Sequence, residues 1–363
     1  MHPARHTISS ARRVVVKVGT AVVARAEGGV ALGRLGHLVE TLATLRADGR
    51  EVVLVSSGAV GLGVSRLGLS RRPKGVVDQQ ACAAVGQGAL MALYDTFFGR
   101  LGLAAAQVLL TEHDFHERNR VVSLAATLER LLSLGTVPII NENDVVSASQ
   151  LSIFGDNDRL AALVASHLDG DALVLLSDVD ALYTKPPTDP DAQRVAVYEG
   201  EAVTIGALSA GGRGGMGAKV EAASLAARAG VTTVIASGAK HGALERVLAG
   251  EDEGTVFPAA AGLSRRRRWI AFSTAPQGRI DVNAGARAAM QQRQASLLAP
   301  GVVGVDGAFA VGEVVQIAED GVVFARGVAK LPSDEVRASM GAGPKGRPVV
   351  HRDDVVLLEG WSE

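Results

Sequence analysis

Short apolar runs alternate with longer segments of helical spacing through the first two thirds of the chain, and this alternation limits the possible folds more than any other feature. The apolar runs predict buried strands at Val14–Val18, Glu51–Val55, Ala104–Leu110, Val137–Ile140, Ala172–Leu176 and Val231–Ala236. The segments between them predict helices at Leu35–Asp48, Gln79–Leu101, Glu117–Leu134, Asp158–Leu168 and Ala218–Ala229. This order predicts an α/β fold with a mostly parallel open sheet, helices on both faces, and ligands at the carboxyl ends of the strands.

The pattern changes after about Phe257, where short Gly- and Val-rich segments alternate with turn signals and predict a small β-rich domain. A run of four arginines, Arg265–Arg268, stands before these segments, and we interpret it as a solvated linker leading into a strand at Trp269. The sequence therefore predicts an α/β domain over residues 1–268 and a β domain over residues 278–356, with the boundary between Arg265 and Gly278.

Composition excludes several classes of function. The 363 residues carry a formal net charge of −1, so the chain has no general attraction to nucleic acid or membrane. Cys82 is the only cysteine, which excludes an intramolecular disulfide and a cysteine-based zinc site and suits a reducing cytoplasm. The first apolar stretch is interrupted by Lys17, so neither a signal peptide nor a membrane span is predicted. We expect a cytoplasmic protein.

Two strand ends carry residues suited to binding an anion. Lys17 lies inside the first apolar strand, where a lysine without a partner would be costly, and this favours a functional anion partner over a surface lysine. The second strand ends in Ser57 and Gly58, small residues that allow a substrate or phosphate to approach the backbone closely. Many α/β proteins carry such a turn for packing alone.

Two polar clusters follow the fourth strand, Asn141–Asp144 and Gly155–Asp158. Turns and helix caps account for one or two of these residues. The rest could hold an amino group, Mg²⁺ ions or a catalytic lysine. The fifth strand ends in Ser177 and Asp178, where an aspartate either orients a ribose or base or ends the strand.

The stretch GGRGGMGAK, residues 211–219, is close to a P-loop but does not match one. Ala218 separates Gly217 from Lys219, and Val220 stands where a hydroxyl residue is required. Unhindered backbone N–H groups and the charge of Lys219 would still attract an anion. Composition alone leaves a phosphate cradle and a flexible linker equally open. Together the lysines, glycine turns and carboxamides favour phosphoryl transfer over dehydrogenation, because no dinucleotide-binding fingerprint follows the first strand.

These motifs, in their order and spacing, resemble the glutamate 5-kinase family of the amino acid kinase superfamily. The stretches that carry the resemblance are VVVKVGTAVV, VSSGAV, QQACAAVGQGALM, INENDVV, FGDNDRLAAL, LLSDVDALYT and GGRGGMGAK. The tail resembles the PUA domain that ends those enzymes, a small β-barrel. The resemblance implies ATP-dependent phosphorylation of the side-chain carboxylate of L-glutamate to γ-glutamyl phosphate, the first step of proline biosynthesis.

The resemblance also implies residue roles. Lys17 and Lys219 would stabilise the transferring phosphoryl group, and Asp158 would hold the two lysines in place. The implied substrate residues are Ser57, Asn141, Asp144 and Asn157, with Asp156 close by. The implied nucleotide residues are Lys17, Ser177, Asp178, Arg213, Gly214, Gly215, Met216, Gly217, Ala218 and Lys219. Mg²⁺ would bridge the ATP phosphates, and no residue is assigned as a protein metal ligand.

The loop departs from the family at two positions: Arg213 and Ala218 stand where threonines are usual, so we predict weaker or differently placed ATP binding rather than inactivity. The family also suggests proline as feedback inhibitor, a homo-oligomer (dimer or tetramer) and glutamyl phosphate reductase as partner. Nucleic acid is not expected as a ligand, because the PUA-like tail is not notably basic and has few aromatic residues. The alternatives are N-acetylglutamate kinase or another superfamily member, and an RNA-binding protein with an inert kinase domain.

Overall fold

The computed structural model describes residues 2–25, 29–111, 113–146, 157–200, 215–260, 263–273, 276–341 and 347–358. Contacts within the chain separate two compact units. One comprises Met1–Asp114 and Asn119–Gly262, and the other comprises Phe115–Arg118 and Leu263–Glu363. The domain limits predicted from the sequence stay a prediction.

A seven-stranded sheet forms the centre of the first unit, with strand order β3-β4-β2-β1-β5-β8-β9. The strands of this unit are β1 (Arg13–Val18), β2 (Glu51–Ser56), β3 (Ala105–Leu110), β4 (Val137–Glu142), β5 (Ala172–Ser177), β6 (Leu182–Tyr183), β7 (Arg194–Val195), β8 (Thr232–Ser237) and β9 (Thr255–Phe257). All neighbours in the large sheet pair in parallel except β9, which runs antiparallel to β8. The predicted mostly parallel sheet is confirmed.

Helices cover both faces of this sheet. Those that precede residue 263 are α1 (Pro3–Ser9), α2 (Thr20–Val23), α3 (Leu32–Ala47), α4 (Ala59–Arg66), α5 (Val76–Arg100), α6 (His113–His116), α7 (Arg118–Ser133), α8 (Asn157–His167), α9 (Met216–Arg228) and α10 (Ala243–Leu248). Val14, Val16 and Val18 of β1 join a core built with side chains of α3 and α10. Lys17 has the opposite parity on the strand and so points to the other face, where α8 contacts β1.

The second unit contains a five-stranded sheet, which confirms the predicted β-rich tail. Its strands are β10 (Gly278–Val282), β11 (Val302–Gly307), β12 (Val314–Glu319), β13 (Val322–Ala329) and β14 (Val350–Leu357), in the order β11-β10-β12-β13-β14. Its helices are α11 (Arg265–Arg268), α12 (Ala284–Arg293) and α13 (Ser333–Ser339). Among the strand pairs that the structure describes in this sheet, only β10 and β12 run in parallel. Ile280, Ile317 and Val350 lie in its fully buried core.

The arginine run is the place where the sequence interpretation is wrong. Residues 265–268 form α11 rather than a linker, and a π-helix, Trp269–Ser273, follows in place of the predicted strand. Arg268 is buried, as are Trp269 and Ile270 after it. Burial of these two apolar side chains holds the segment as a helix despite four adjacent positive charges. No helix within the described ranges is long and apolar enough to cross a membrane.

Candidate active site

Two lysines and one aspartate form a buried ion cluster in the first unit. The Nζ atom of Lys17 lies 2.6 Å from Oδ1 of Asp158, and the Nζ atom of Lys219 lies 3.1 Å from Oδ2. The side chains of Lys17, Asp158 and Lys219 are 2%, 1% and 7% exposed. The three residues come from β1, α8 and α9, so their meeting depends on the packing of α8 against β1 and of α9 against α8.

Two ammonium groups face the Asp158 carboxylate, and the nearby Asp178 carboxylate also lies within electrostatic reach of both lysines. Buried charges require partners of opposite sign, and the two ammonium groups here converge on one place from two different elements. Asp158 occupies the first turn of α8, but its carboxylate faces the two lysines. The cluster therefore has the charge and the placement of a site for an anionic group at the carboxyl end of β1.

Three polar residues form a hydrogen-bonded amide cluster beside the ion cluster. The Nδ2 atom of Asn157 lies within hydrogen-bond distance of the Ser56 carbonyl (2.9 Å), Ser57 Oγ (2.9 Å) and Asn141 Oδ1 (2.8 Å). Asn157 directly precedes Asp158, so the two clusters share the start of α8. The structure thus brings together Ser57, Asn141 and Asn157, three of the residues that the resemblance assigns to the substrate.

Two residues of α5 complete this cluster, and the sequence reasoning assigned a role to neither. Asn141 Nδ2 donates to Oε1 of Gln87 at 2.8 Å. The hydroxyl of Tyr94 lies 2.8 Å from Ser56 Oγ, and Tyr94 is fully buried. Burial raises the pKa of Tyr94, so its phenol stays neutral. Gln87 lies in the stretch QQACAAVGQGALM, and Tyr94 lies shortly after it on the same helix. A helical apolar pattern does not show which polar side chain reaches a site.

The turn after β2 depends on glycine. Gly58 has φ +110°, a left-handed conformation that side chains other than glycine disfavour. A Cβ atom at Gly58 would also lie 3.4 Å from the side chain of Val23 on α2. Gly58 therefore allows the chain to turn from β2 into α4. The backbone of this turn lies beside β1, the strand that carries Lys17.

The predicted nucleotide residues fall into two groups. Ser177, at the end of β5, donates from Oγ to Asp178 Oδ1 at 2.7 Å, and this bond holds the pKa of the exposed Asp178 carboxyl below its usual value. Helix α9 begins at Met216, so the residues from Gly215 to Ala218 are the half-buried backbone that leads to Lys219. Arg213 and Gly214 lie outside the described residues.

Two predicted substrate residues remain. Asp144 is half-buried in the turn just after β4. Asp156 lies outside the described residues. Within the described parts of the chain, no group of three or more His, Cys, Asp or Glu side chains is arranged to hold a metal ion.

Comparison with known proteins identifies the class to which this fold and site belong. The model of the amino acid kinase family matches residues 12–237, and the model of the PUA domain matches residues 278–343. The chain belongs to the amino acid kinase family, whose members are ATP-dependent kinases, and carries a PUA domain.

The relatives narrow this class to the glutamate 5-kinases. The chain is 44% identical to the glutamate 5-kinase of Moorella thermoacetica and 46% identical to that of Myxococcus xanthus, in each case over 98% of both chains. It is 43% identical to the glutamate 5-kinase of Streptomyces coelicolor, over 99% of this chain and 100% of the relative. The resemblance drawn from the motifs is confirmed.

Proposed function

We propose that this protein transfers the γ-phosphoryl group of ATP to the side-chain carboxylate of L-glutamate, giving γ-glutamyl phosphate for proline biosynthesis. The observation that supports this most directly is the buried cluster of Lys17, Asp158 and Lys219, which brings two ammonium groups together beside a cluster of amides. Phosphoryl transfer requires mainly positioning and neutralisation of charge on the transferred group.

In this proposal the two lysines contact the phosphoryl group from different elements, Lys17 from β1 and Lys219 from α9. Asp158 keeps the two ammonium groups near each other. Because the three side chains are almost inaccessible to water, their charges need little reorganisation when negative charge develops on the transferring oxygens. Asp158 acts as a positioning residue.

The amino acid substrate binds at the amide cluster. Asn157 and Asp158 are the first two residues of α8. A substrate held by Ser57, Asn141 and Asn157 therefore has one end near the lysines. Asp144, just after β4, supplies a carboxylate for the substrate ammonium group. Asp156 is assigned here by its place beside Asn157 in the sequence.

The nucleotide binds along Ser177, Asp178 and the backbone from Arg213 to Lys219. Phosphates suit this loop because it leads into the first turn of α9, whose N–H groups are directed outward, and into Lys219. Mg²⁺ is expected to arrive bound to the ATP phosphates, with the ionised Asp178 as a carboxylate at that end of the sheet. Ala218 offers no hydroxyl, and Arg213 replaces a second one, so we expect weaker ATP binding than in relatives with threonines.

Several partners belong to the same proposal. Proline would inhibit the enzyme, a dimer or tetramer would form, and glutamyl phosphate reductase would consume the product in the cytoplasm. N-acetylglutamate is the alternative substrate, and RNA is the alternative ligand of the PUA domain.

The proposal is tested with a hydroxamate assay, in which hydroxylamine traps acyl phosphates formed from ATP and Mg²⁺. L-glutamate is compared with N-acetylglutamate, aspartate and carbamate, and wild type with Lys219→Met. A matched control is Lys330→Met, a lysine of the second unit. We expect hydroxamate from L-glutamate alone, lost in Lys219→Met and retained in Lys330→Met. A product from another substrate would assign the enzyme the activity of another member of the amino acid kinase superfamily. No product with any substrate would overturn the proposal.

A further inference from the structure

Gln87 of α5 presents a pair of unused hydrogen-bond donors at the amide cluster. Its Oε1 atom accepts a hydrogen bond from Asn141 Nδ2 at 2.8 Å. Its Nε2 atom carries two N–H donors, and no residue in the described part of the chain accepts from them. Gln87 is half-buried, so this amide group remains reachable from the site.

The orientation of the Gln87 amide is dictated by backbone groups. The backbone N–H of Glu142 donates to Asn141 Oδ1 at 2.9 Å, and a backbone N–H cannot act as an acceptor. Asn141 must therefore keep its oxygen toward Glu142 and its Nδ2 toward Gln87. Because Asn141 Nδ2 is a donor, Gln87 must accept this hydrogen bond with its Oε1 atom. Its Nε2 atom therefore faces away from Asn141.

Close packing of two helices brings Gln87 to this position. A Cβ atom at Gly86 would lie 1.8 Å from the carbonyl oxygen of Ala59, and one at Gly63 would lie 1.8 Å from that of Cys82. Helices α4 and α5 therefore touch through their backbones, which only glycine allows. Since α4 begins just after Ser57 and Gly58, this contact holds Gln87 beside the turn that carries the substrate-binding serine.

We propose that Gln87 is a further substrate-binding residue, whose Nε2 group donates to the carboxylate at the non-reacting end of the amino acid. This inference rests on the proposed function. Gln87 is two hydrogen bonds removed from Asn157, by way of Asn141, whereas Asn157 adjoins Asp158 in the chain. A substrate whose side-chain carboxylate meets the two lysines therefore directs its α-carboxylate toward Gln87.

The chemistry of an amide suits this end of the substrate. An amide N–H binds a carboxylate without adding a charge that would compete with the lysines for the transferring phosphoryl group. The second N–H of Asn141 Nδ2 has no hydrogen-bond partner in the described ranges, so it can donate to the same carboxylate. These two neighbouring amides therefore offer neutral donors for the two oxygens of one carboxylate.

Gln87→Glu tests this role against a purely structural one. The glutamate side chain keeps an oxygen to accept from Asn141 but replaces the NH₂ group with a second carboxylate oxygen, which repels the substrate carboxylate. We expect the KM for L-glutamate to rise at least 30-fold while the KM for ATP changes less than threefold. If Gln87 only orients Asn141, Gln87→Glu will match wild type, and the proposal is overturned.

Gln87→Met gives an independent measurement with a substrate analogue. Loss of a hydrogen bond to a charged group corresponds to roughly 10- to 100-fold in affinity, so the KM for L-glutamate should rise by that factor. The inhibition constant of 4-aminobutyrate, which lacks the α-carboxylate, should be unchanged by Gln87→Met, and that of glutarate should rise. Equal weakening of all three compounds would overturn the proposal.

Controls separate the possible failures. Asp95→Asn is an exposed change on the same helix and should leave both KM values and the thermal unfolding temperature as in wild type. No hydroxamate from the wild-type enzyme would mean that the proposed function fails. An active wild type whose Gln87→Glu variant has an unchanged KM for L-glutamate would mean that only this inference fails.

Discussion

Both units of the molecule contain a buried aspartate between two cations, and the two clusters differ in where the cations lie. In the first unit the lysines that flank Asp158 are 2% and 7% exposed. In the second unit Asp354 pairs with Lys330 at 2.7 Å and also with Arg266, whose side chains are 35% and 39% exposed. The carboxylates are alike in burial, whereas only the first cluster encloses its cations.

This difference separates a candidate binding site from a structural ion pair. The surplus charge around Asp354 reaches water, where solvent and salt screen it. The ammonium groups beside Asp158 are shielded from water and cannot be screened in that way. Burial of the cations, rather than of the aspartate, is thus the feature that points to phosphoryl transfer.

Asp158→Asn should produce the largest effect, because it leaves two buried ammonium groups facing a neutral amide. Removing one partner of a buried ion pair costs about 3–5 kcal/mol of the free energy of unfolding. We also expect kcat to fall by roughly 10³-fold or more, since the lysines lose their placement. Thermal unfolding and the hydroxamate assay measure the two effects. A variant with a kcat within tenfold of wild type would contradict this view of the cluster.

Lys219→Met sharpens the comparison, because activity and stability should move apart. The change leaves Lys17 paired with Asp158, so the free energy of unfolding should fall less than in Asp158→Asn, while kcat should fall about 10²- to 10³-fold. Lys330→Met, its counterpart in the second unit, should leave kcat within twofold. A loss of stability in Lys219→Met as large as that in Asp158→Asn would contradict the expectation that Lys17 alone keeps Asp158 paired.

Asp354→Asn should affect stability in a pH-dependent way and leave kcat unchanged. Burial raises the pKa of Asp354, but the bonds with Lys330 and Arg266 outweigh burial and hold the pKa below its ordinary value. Since the folded pKa is the lower one, the carboxylate stabilises the fold above about pH 4, and this stabilisation is lost as the pH falls toward the folded pKa. At pH 7 we expect Asp354→Asn to lower the free energy of unfolding by about 1–3 kcal/mol, because the cations are partly exposed.

The matching experiment is thermal unfolding of wild type and Asp354→Asn at pH 7 and pH 3. The difference between the two proteins should shrink at pH 3, where the wild-type carboxylate becomes increasingly protonated. A difference that stays constant with pH would assign the effect to packing instead of charge.

Tyr94→Phe should have the smallest effect. It removes the hydroxyl that bonds Ser56 Oγ at 2.8 Å and leaves that serine with one partner fewer in a buried position. We expect a loss of about 0.5–1.5 kcal/mol in the free energy of unfolding and a KM for L-glutamate raised by a few-fold. Isothermal unfolding and initial-rate kinetics measure both. A KM for ATP that rises as much as that for L-glutamate would contradict a role confined to the amide cluster.

Much of the fold follows from local patterns in the sequence. Each predicted strand and helix of the first unit is present, with ends shifted by a few residues, because apolar periodicity reports which face of an element is buried. The misreading of Arg265–Arg268 shows the limit of this reasoning. Four adjacent charges indicate a solvated segment, but burial of Arg268 and Trp269 in the second unit decides otherwise.

The sequence by itself determined the order of the elements, the glycine turns, and the chemical groups at the strand ends, because these depend on neighbouring residues. The tertiary structure decided which of those groups meet. Gln87 and Asn141 are 54 residues apart, and Lys219 and Asp158 are 61 apart. Periodicity places each side chain on a face of its own element, but only the packing of α5, α8 and α9 against the sheet brings those faces within hydrogen-bond distance.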